Sequence, residues 1–162
     1  RESGVITLHA ATAEETRRIG EQLARALLAA PAAQPFLVTL TGELGAGKTT
    51  LVSGLLQALG HPGPVRSPTY TLIEPYRLAG REIHHCDLYR LRHPDELEDL
   101  GLRELVGPGS VLLVEWPERA EGRLGQADLE LDLRYAGAGR DCAVRSGTAP
   151  GRALASQLSG ST

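Results

Sequence analysis

The chain has 162 residues and a formal net charge of −3, with 41% hydrophobic and 23% charged residues. This composition is typical of a folded globular protein, and the negative balance gives no overall attraction to nucleic acid or anionic membrane. Two cysteines, distant in sequence, argue against a disulfide scaffold and a zinc ribbon. Because neither a signal-peptide pattern nor a long apolar run is present, we expect one cytoplasmic domain over 1–162 with no membrane partner.

Strands and helices alternate along the predicted chain. Thr12 and Glu15 form a capping-box pattern at the start of the first helix, and Pro31–Pro35 ends that helix. The predicted strands are Val5–Leu8, Phe36–Leu40, Tyr70–Tyr76, Glu82–Asp87, Val111–Val114, Leu129–Leu133 and Asp141–Arg145. The later predicted helices are Lys48–Leu59, Pro94–Leu105 with a break at Gly101, and a short one near Arg152–Leu158.

The apolar pattern of two strands indicates how the sheet is built. Phe36–Leu40 and Val111–Val114 are almost wholly apolar, as in a parallel sheet that is covered on both faces. Tyr70–Tyr76 and Glu82–Asp87 form a predicted antiparallel hairpin. Leu129–Leu133 and Asp141–Arg145 are predicted to form a closing strand pair. We therefore predict an α/β fold whose central sheet is mostly parallel, with an antiparallel hairpin and helices on both faces. Because side chains alternate along a strand, the adjacent His84 and His85 should point to opposite faces.

A glycine-rich segment, Gly42–Thr49, matches the pattern G-x-x-x-x-G-K-[ST] at every fixed position. It lies between a predicted buried strand and a predicted helix, so its backbone N–H groups and the helix N-terminus can surround an anion. This predicts a three-layer, P-loop NTPase-like fold that binds a nucleotide. The segment's predicted phosphate-binding residues are Glu43, Leu44, Gly45, Ala46, Gly47, Lys48, Thr49 and Thr50.

Lys48 is the only lysine among 17 lysine and arginine residues. A composition that favours arginine so strongly should have placed arginine here too, and the compact ammonium fits between phosphate oxygens where a planar guanidinium does not. We expect Lys48 to reach the β- and γ-phosphates and Thr49 to place its hydroxyl on Mg²⁺.

A P-loop needs a partner carboxylate at a strand end to hold Mg²⁺ and water. Glu115 follows the apolar strand Val111–Val114, and Asp87 ends the more polar strand Glu82–Cys86. Both are candidate Mg²⁺ ligands together with Thr49, and these patterns alone do not decide which acid holds the metal and which acts on water.

Missing motifs narrow the class of P-loop protein. The chain contains no asparagine, which excludes the N-K-x-D element of regulatory GTPases, and it lacks the LSGGQ signature of transporter ATPases. A small-molecule kinase is the alternative, with Arg90, Arg92 and Arg103 available for an acceptor site.

Four blocks in order resemble the TsaE family, the small ATPase of bacterial tRNA threonylcarbamoyladenosine synthesis. They are Gly42–Thr50, Arg66–Leu72, His85–Leu91 and Val114–Glu118, with Cys86 standing where the family usually has phenylalanine. The resemblance implies a Mg-ATP hydrolase, weak alone, that supports threonylcarbamoyl transfer by a TsaD–TsaB type complex. It also implies that this protein associates with tRNA indirectly, through that complex.

The resemblance also carries roles to individual residues. Lys48 and Thr49 keep their P-loop roles, with Lys48 counted as catalytic. Glu115 matches the family's acid near Mg²⁺, and Asp87 matches an acid expected to orient the attacking water or act as general base.

Five further residues are expected near the nucleotide. Ser67 and Thr69 match a segment that resembles a switch sensing the γ-phosphate. Trp116, the only tryptophan, adjoins Glu115 and is expected beside the nucleotide, while Thr12 and Thr16 are expected to border the base.

Overall fold

The computed structural model describes residues 5–68 and 72–158. Thr69 and the side chain of Arg103, both singled out above, lie outside this described part. The strands are β1 (Val5–Ala10), β2 (Phe36–Thr41), β3 (Ile73–Leu78), β4 (Arg81–Asp87), β5 (Ser110–Glu115), β6 (Leu129–Ala136) and β7 (Gly139–Ser146). The helices are α1 (Ala13–Ala29), α2 (Lys48–Ala58), α3 (Glu96–Leu100), α4 (Leu102–Leu105) and α5 (Ala149–Ser156), with a 3₁₀ turn at Pro117–Ala120.

The seven strands form one mixed sheet in the order β1-β7-β6-β2-β5-β4-β3. Four consecutive strands, β6, β2, β5 and β4, run parallel to one another. Antiparallel pairing adds β3 on one side of them and β7 and then β1 on the other. The predicted α/β fold is confirmed, including the antiparallel hairpin of β3 and β4. The sheet is partly rather than mostly parallel, because among the described strands β6 pairs with β7 and β7 pairs with β1 in the antiparallel sense, as β3 does with β4.

Helices cover both faces of this sheet. One buried cluster joins Phe36, Val38 and Leu40 of β2 to leucines of α1, α2 and α5. A smaller cluster on the opposite face packs Leu112 and Val114 of β5 against α3 and α4. Side chains alternate between the two faces along β5, which explains this division. Val111 and Leu113 belong to the first cluster, whereas Leu112 and Val114 belong to the second.

Local chemistry accounts for the element ends. The Thr12 side chain accepts a hydrogen bond from the Glu15 backbone N–H, which caps α1 as predicted. Ala79 and Gly80 both have positive φ (53° and 76°), the conformation of a tight two-residue hairpin turn. Gly101, with φ of 69°, separates α3 from α4 at the predicted break.

Close packing of α1 on α2 fixes the helix that follows the glycine-rich loop. A Cβ added at Gly20 would lie 2.0 Å from the Leu51 carbonyl oxygen, and one at Gly54 would lie 2.1 Å from the Arg17 carbonyl oxygen. The two helices can approach this closely only because both positions lack a side chain. In the described ranges, no helix has the length and apolar character needed to cross a membrane.

Candidate functional site

The glycine-rich loop connects β2 to the first turn of α2 and forms one wall of a cleft of about 220 Å³. Gly42, Gly45 and Gly47 have φ values of 145°, 81° and 110°, which side-chain-bearing residues rarely adopt. The cleft brings together residues from the loop, α2 and the ends of β4 and β5, which are Leu44, Gly45, Gly47, Lys48, Thr49, Thr50, Ser67, Asp87, Tyr89, Glu115 and Trp116.

Lys48 begins α2 and is only 5% exposed. Its ammonium donates a hydrogen bond to the Gly42 carbonyl and lies 3.8 Å from the centre of the Trp116 ring. Burial lowers the pKa of Lys48, while the nearby Glu115 carboxylate opposes that shift. The ammonium is therefore aimed into the cleft by an acceptor on one side and an aromatic face on the other.

Asp87 and Glu115 end the neighbouring parallel strands β4 and β5 and are register partners. The sequence-predicted acids therefore lie side by side at the carboxyl edge of the sheet, where ligands of α/β proteins bind. The backbone N–H of Trp116 donates to the Leu40 carbonyl at 3.3 Å, which ties the end of β5 to the end of β2.

Glu115 is 2% exposed and lies beside two hydroxyl groups. Thr49 Oγ1 and Ser67 Oγ are 2.6 Å apart, and they lie 3.4 and 3.5 Å from Glu115 Oε2. The end of β5, the first turn of α2 and the loop after α2 thus bring three side-chain oxygens together at one place.

His85 is fully buried, and its Nε2 lies 2.7 Å from Glu115 Oε2. An ionised carboxylate only accepts hydrogen bonds, so Nε2 carries the proton in this pair. His85 Nδ1 has no partner among the described residues, and neither has either ring nitrogen of His84. Sequence reasoning separated these histidines onto opposite faces but assigned no role to His85. His85 lies two residues before Asp87 and therefore on the same face of β4, and this spacing could have indicated that His85 lies near the site.

Asp87 differs from Glu115 in its surroundings. Its Oδ1 accepts a hydrogen bond from the Tyr89 backbone N–H at 3.0 Å, which fixes the carboxylate at the end of β4. Burial raises the pKa of Asp87, opposed by that hydrogen bond and supported by the negative charge of Glu115. This carboxylate therefore holds a proton more readily than an exposed aspartate.

Trp116 adopts the left-handed conformation (φ 59°, ψ 49°) at the start of the 3₁₀ turn. The turn carries its ring over Lys48 and to 4.9 Å from the Tyr89 ring. The Arg119 guanidinium packs 5.2 Å from the Tyr89 ring and 5.9 Å from the Trp116 ring. The predicted tryptophan thus forms an aromatic wall of the cleft with Tyr89.

The other predicted residues are spread more widely. Thr16 is buried and lies close to the loop, since a Cβ added at Gly47 would be 3.4 Å from the Thr16 methyl group. Thr12, in contrast, is exposed and caps the N-terminus of α1. Glu43 accepts the Ala46 backbone N–H at 3.0 Å through its carbonyl, closing a turn of the loop.

Two residues that sequence reasoning missed contact the loop from the β6–β7 hairpin, which lies beside β2. Tyr135 at the end of β6 and Arg140 at the start of β7 donate hydrogen bonds to carbonyls of the loop. They lie more than 90 positions in sequence from the loop residues that they contact, and no local pattern marks them.

The donor set suits a hard cation and phosphate groups. Hydroxyl and carboxylate oxygens are ligands typical of Mg²⁺, which proteins hold with few side chains and with substrate phosphates. Within residues 5–68 and 72–158, no group of three or more His, Cys, Asp or Glu residues forms a metal cage. The glycine-rich loop beside the helix N-terminus has the backbone chemistry that suits a phosphate group.

The sequence of this chain is similar to that of known proteins of one family. Residues 10–142 match the family model of threonylcarbamoyl adenosine biosynthesis protein TsaE. The tRNA threonylcarbamoyladenosine biosynthesis protein TsaE of Haemophilus influenzae is 43% identical over 142 residues, covering 88% of this chain and 90% of that protein. Its namesake from Bacillus subtilis is 41% identical over 124 residues, covering 76% and 74%.

A solved structure extends the likeness to the whole fold. The crystal structure of Bacillus subtilis YdiB superposes with a TM-score of 0.72 at 28% identity, covering 98% of this chain and 97% of that one. Since the family model spans most of the chain and the TsaE proteins match over most of their own length, this chain belongs to the TsaE family.

Proposed function

We propose that this protein binds Mg-ATP and hydrolyses it, weakly when alone, in support of tRNA threonylcarbamoyladenosine synthesis by a TsaD–TsaB type complex. The observation that carries this proposal is the meeting of Lys48 and Thr49 with Glu115 and Asp87 in one cleft. The tRNA-modification pathway is inferred from family membership, and the ATP hydrolysis is inferred from the residues of the cleft.

The glycine-rich loop and Lys48 hold the phosphates of ATP in this proposal. The loop's backbone N–H groups and the positive end of the α2 dipole attract the negative charge of the phosphates. The Lys48 ammonium is already shielded from water by burial. Desolvation strengthens its attraction to phosphate oxygens, because little water competes for the charge.

Thr49 and Glu115 hold the metal, with Ser67 beside them. Mg²⁺, when bound, supplies neutralisation of the charge that develops on the phosphate oxygens. The hydrogen bond from His85 keeps the Glu115 carboxylate directed toward the two hydroxyl groups. The contact of Thr49 with Glu115 supports Glu115, rather than Asp87, as the acid at the metal.

Asp87 orients the attacking water and accepts its proton. Water oxygen bonds to the γ-phosphorus, the bond from that phosphorus to the bridging oxygen breaks, and ADP leaves with the electron pair. The raised pKa of Asp87 suits this role, because a stronger base accepts the proton more readily. The Ser67 hydroxyl, 2.6 Å from that of Thr49, lies beside the phosphate site of this proposal.

We infer that tRNA reaches this cytoplasmic protein through its protein partners. The net charge of −3 provides no overall attraction to a polyanion, so a direct electrostatic complex with tRNA is not favoured.

Phosphate release from ATP, measured with and without a TsaD–TsaB pair, tests the proposal. We expect slow release by the protein alone and a clear stimulation when the partners are added, with Lys48→Ala as the inactive control. Absence of release under both conditions would contradict the ATPase proposal. A phosphorylated small molecule formed at the expense of ATP would instead support a kinase.

A further inference from the structure

Tyr135 and Arg140 hold three consecutive carbonyls of the glycine-rich loop. The Tyr135 hydroxyl donates to the Leu44 carbonyl at 3.1 Å. The Arg140 guanidinium donates through Nε to the Ala46 carbonyl at 3.0 Å and through its Nη2 to the Gly45 carbonyl at 3.2 Å. One planar fork and one hydroxyl therefore fix the loop's outer side.

The two side chains also support each other. Tyr135 and Arg140 are register partners in the β6–β7 hairpin, and the guanidinium carbon lies 4.2 Å from the centre of the tyrosine ring. The third guanidinium nitrogen of Arg140, Nη1, donates to the Gly139 carbonyl at 2.8 Å, which anchors the side chain to its own strand. The pair thus belongs to the sheet and contacts the loop from outside it.

Peptide geometry transmits this contact to the opposite side of the loop. In a trans peptide, the C=O of one residue and the N–H of the next point in opposite directions. Holding the carbonyls of Leu44 and Ala46 outward therefore turns the N–H groups of Gly45 and Gly47 away from the pair. The Ala46 N–H is already used by the Glu43 carbonyl, so these two glycine N–H groups are the ones that the pair orients.

We propose that Arg140 and Tyr135 are positioning residues that pre-organise the loop for the phosphates of the nucleotide. This inference rests on the proposed ATP binding and extends it to residues on β6 and β7. A loop already shaped for phosphate avoids the cost of ordering at the moment of binding. The effect applies to the ground state and the transition state alike, so it changes nucleotide affinity and KM more than kcat.

The test compares four variants by calorimetric titration with Mg-ATP and by phosphate release at 25 °C. Tyr135→Phe keeps the ring and removes the hydroxyl, while Arg140→Lys keeps the charge and removes the fork. Arg140→Ala removes both properties. Arg134→Ala is the matched control, because Arg134 adjoins Tyr135 on β6 but is 74% exposed and pairs with Asp132. Far-UV circular dichroism verifies that each variant is folded.

We expect the Kd for Mg-ATP to rise about 3- to 10-fold in Tyr135→Phe and about 10- to 100-fold in both Arg140 variants, as one and two lost hydrogen bonds imply. The kcat should stay within about 3-fold of wild type, and the control should bind as wild type does. A merely structural role would lower kcat together with the folded fraction and leave the Kd of the folded molecules unchanged.

Three results would overturn the inference. Wild-type affinity in Tyr135→Phe and Arg140→Ala would show that the loop needs no such support, and wild-type affinity in Arg140→Lys would mean that charge alone is sufficient. If Arg140→Ala does not fold, Tyr135→Phe decides the matter by its Kd. Failure of the wild-type protein itself to bind Mg-ATP would refute the proposed function, and this inference with it.

Discussion

Replacing His85 with leucine removes the 2.7 Å hydrogen bond to the buried Glu115 carboxylate. A hydrogen bond to a charged group contributes about 1.5–3 kcal/mol, and leaving a buried charge without its partner costs about 3–5 kcal/mol. The hydroxyl groups of Thr49 and Ser67 lie at 3.4 and 3.5 Å from the same oxygen and can offset part of this loss. We therefore expect the free energy of unfolding to fall by about 3 kcal/mol.

The neighbouring His84 provides the matched control. It is similarly buried at 8% exposure, but neither ring nitrogen has a hydrogen-bond partner in the described part of the chain. Its burial lowers the pKa, so the ring stays neutral at physiological pH. His84→Leu removes two unsatisfied polar atoms and should change the free energy of unfolding by less than about 0.5 kcal/mol or raise it.

Urea-induced unfolding of wild type, His85→Leu, His85→Gln and His84→Leu measures these differences. Glutamine can return an N–H donor to Glu115, so His85→Gln should recover most of the lost stability. The slopes of the urea dependence should agree among the four proteins, which verifies that the midpoints can be compared. Equal losses in His84→Leu and His85→Leu, or a wild-type midpoint in His85→Leu, would refute the reasoning about the buried pair.

Three further predictions concern the glycine-rich loop, the helix packing and the thiols. Lys48→Arg should keep the wild-type circular dichroism yet bind Mg-ATP at least about 10-fold more weakly, because the broader guanidinium does not fit the buried ammonium site; unchanged affinity would contradict this. Gly54→Ala should lose about 1–3 kcal/mol in urea unfolding, since the methyl group meets the α1 backbone at 2.1 Å. Gly107→Ala, which meets open space, should stay within about 0.5 kcal/mol of wild type, and equal midpoints for the two variants would contradict the packing argument. Burial raises the pKa of both Cys86 and Cys142 to about 12, so neither thiol should react with a disulfide reagent at mildly alkaline pH until the protein unfolds. Rapid labelling of the native protein would contradict this burial.

Much of the candidate site could be predicted because its signals are local. The glycine-rich loop is a contiguous pattern, and the apolar runs of β2 and β5 identify the inner strands on which the loop and Glu115 lie. The prediction that Asp87 and Glu115 end strands is confirmed, and the parallel pairing of β4 with β5 explains why they meet. The residue roles built on this arrangement stay predictions.

The remaining parts depend on the order of the strands, which the local patterns do not contain. Leu129–Leu133 is predicted as half of a closing strand pair, but β6 also inserts beside β2 in parallel. That insertion brings Tyr135 and Arg140 to the loop. The hydrogen bond between His85 and Glu115 likewise requires β4 and β5 to be neighbours in register. Such contacts follow from tertiary pairing rather than from residue spacing.

Isothermal titration calorimetry of Mg-ATP binding to wild type, Glu115→Ala and Asp87→Asn tests the central claim most directly. The account predicts that the wild-type protein binds, that removal of Mg²⁺ by chelation weakens binding, and that Glu115→Ala loses most of the affinity. Asp87→Asn should bind nearly as tightly as wild type, because a residue that acts on the attacking water works mainly in the transition state. No binding by the wild-type protein would contradict the account, and a large loss in Asp87→Asn with none in Glu115→Ala would mean that the roles of the two acids are reversed.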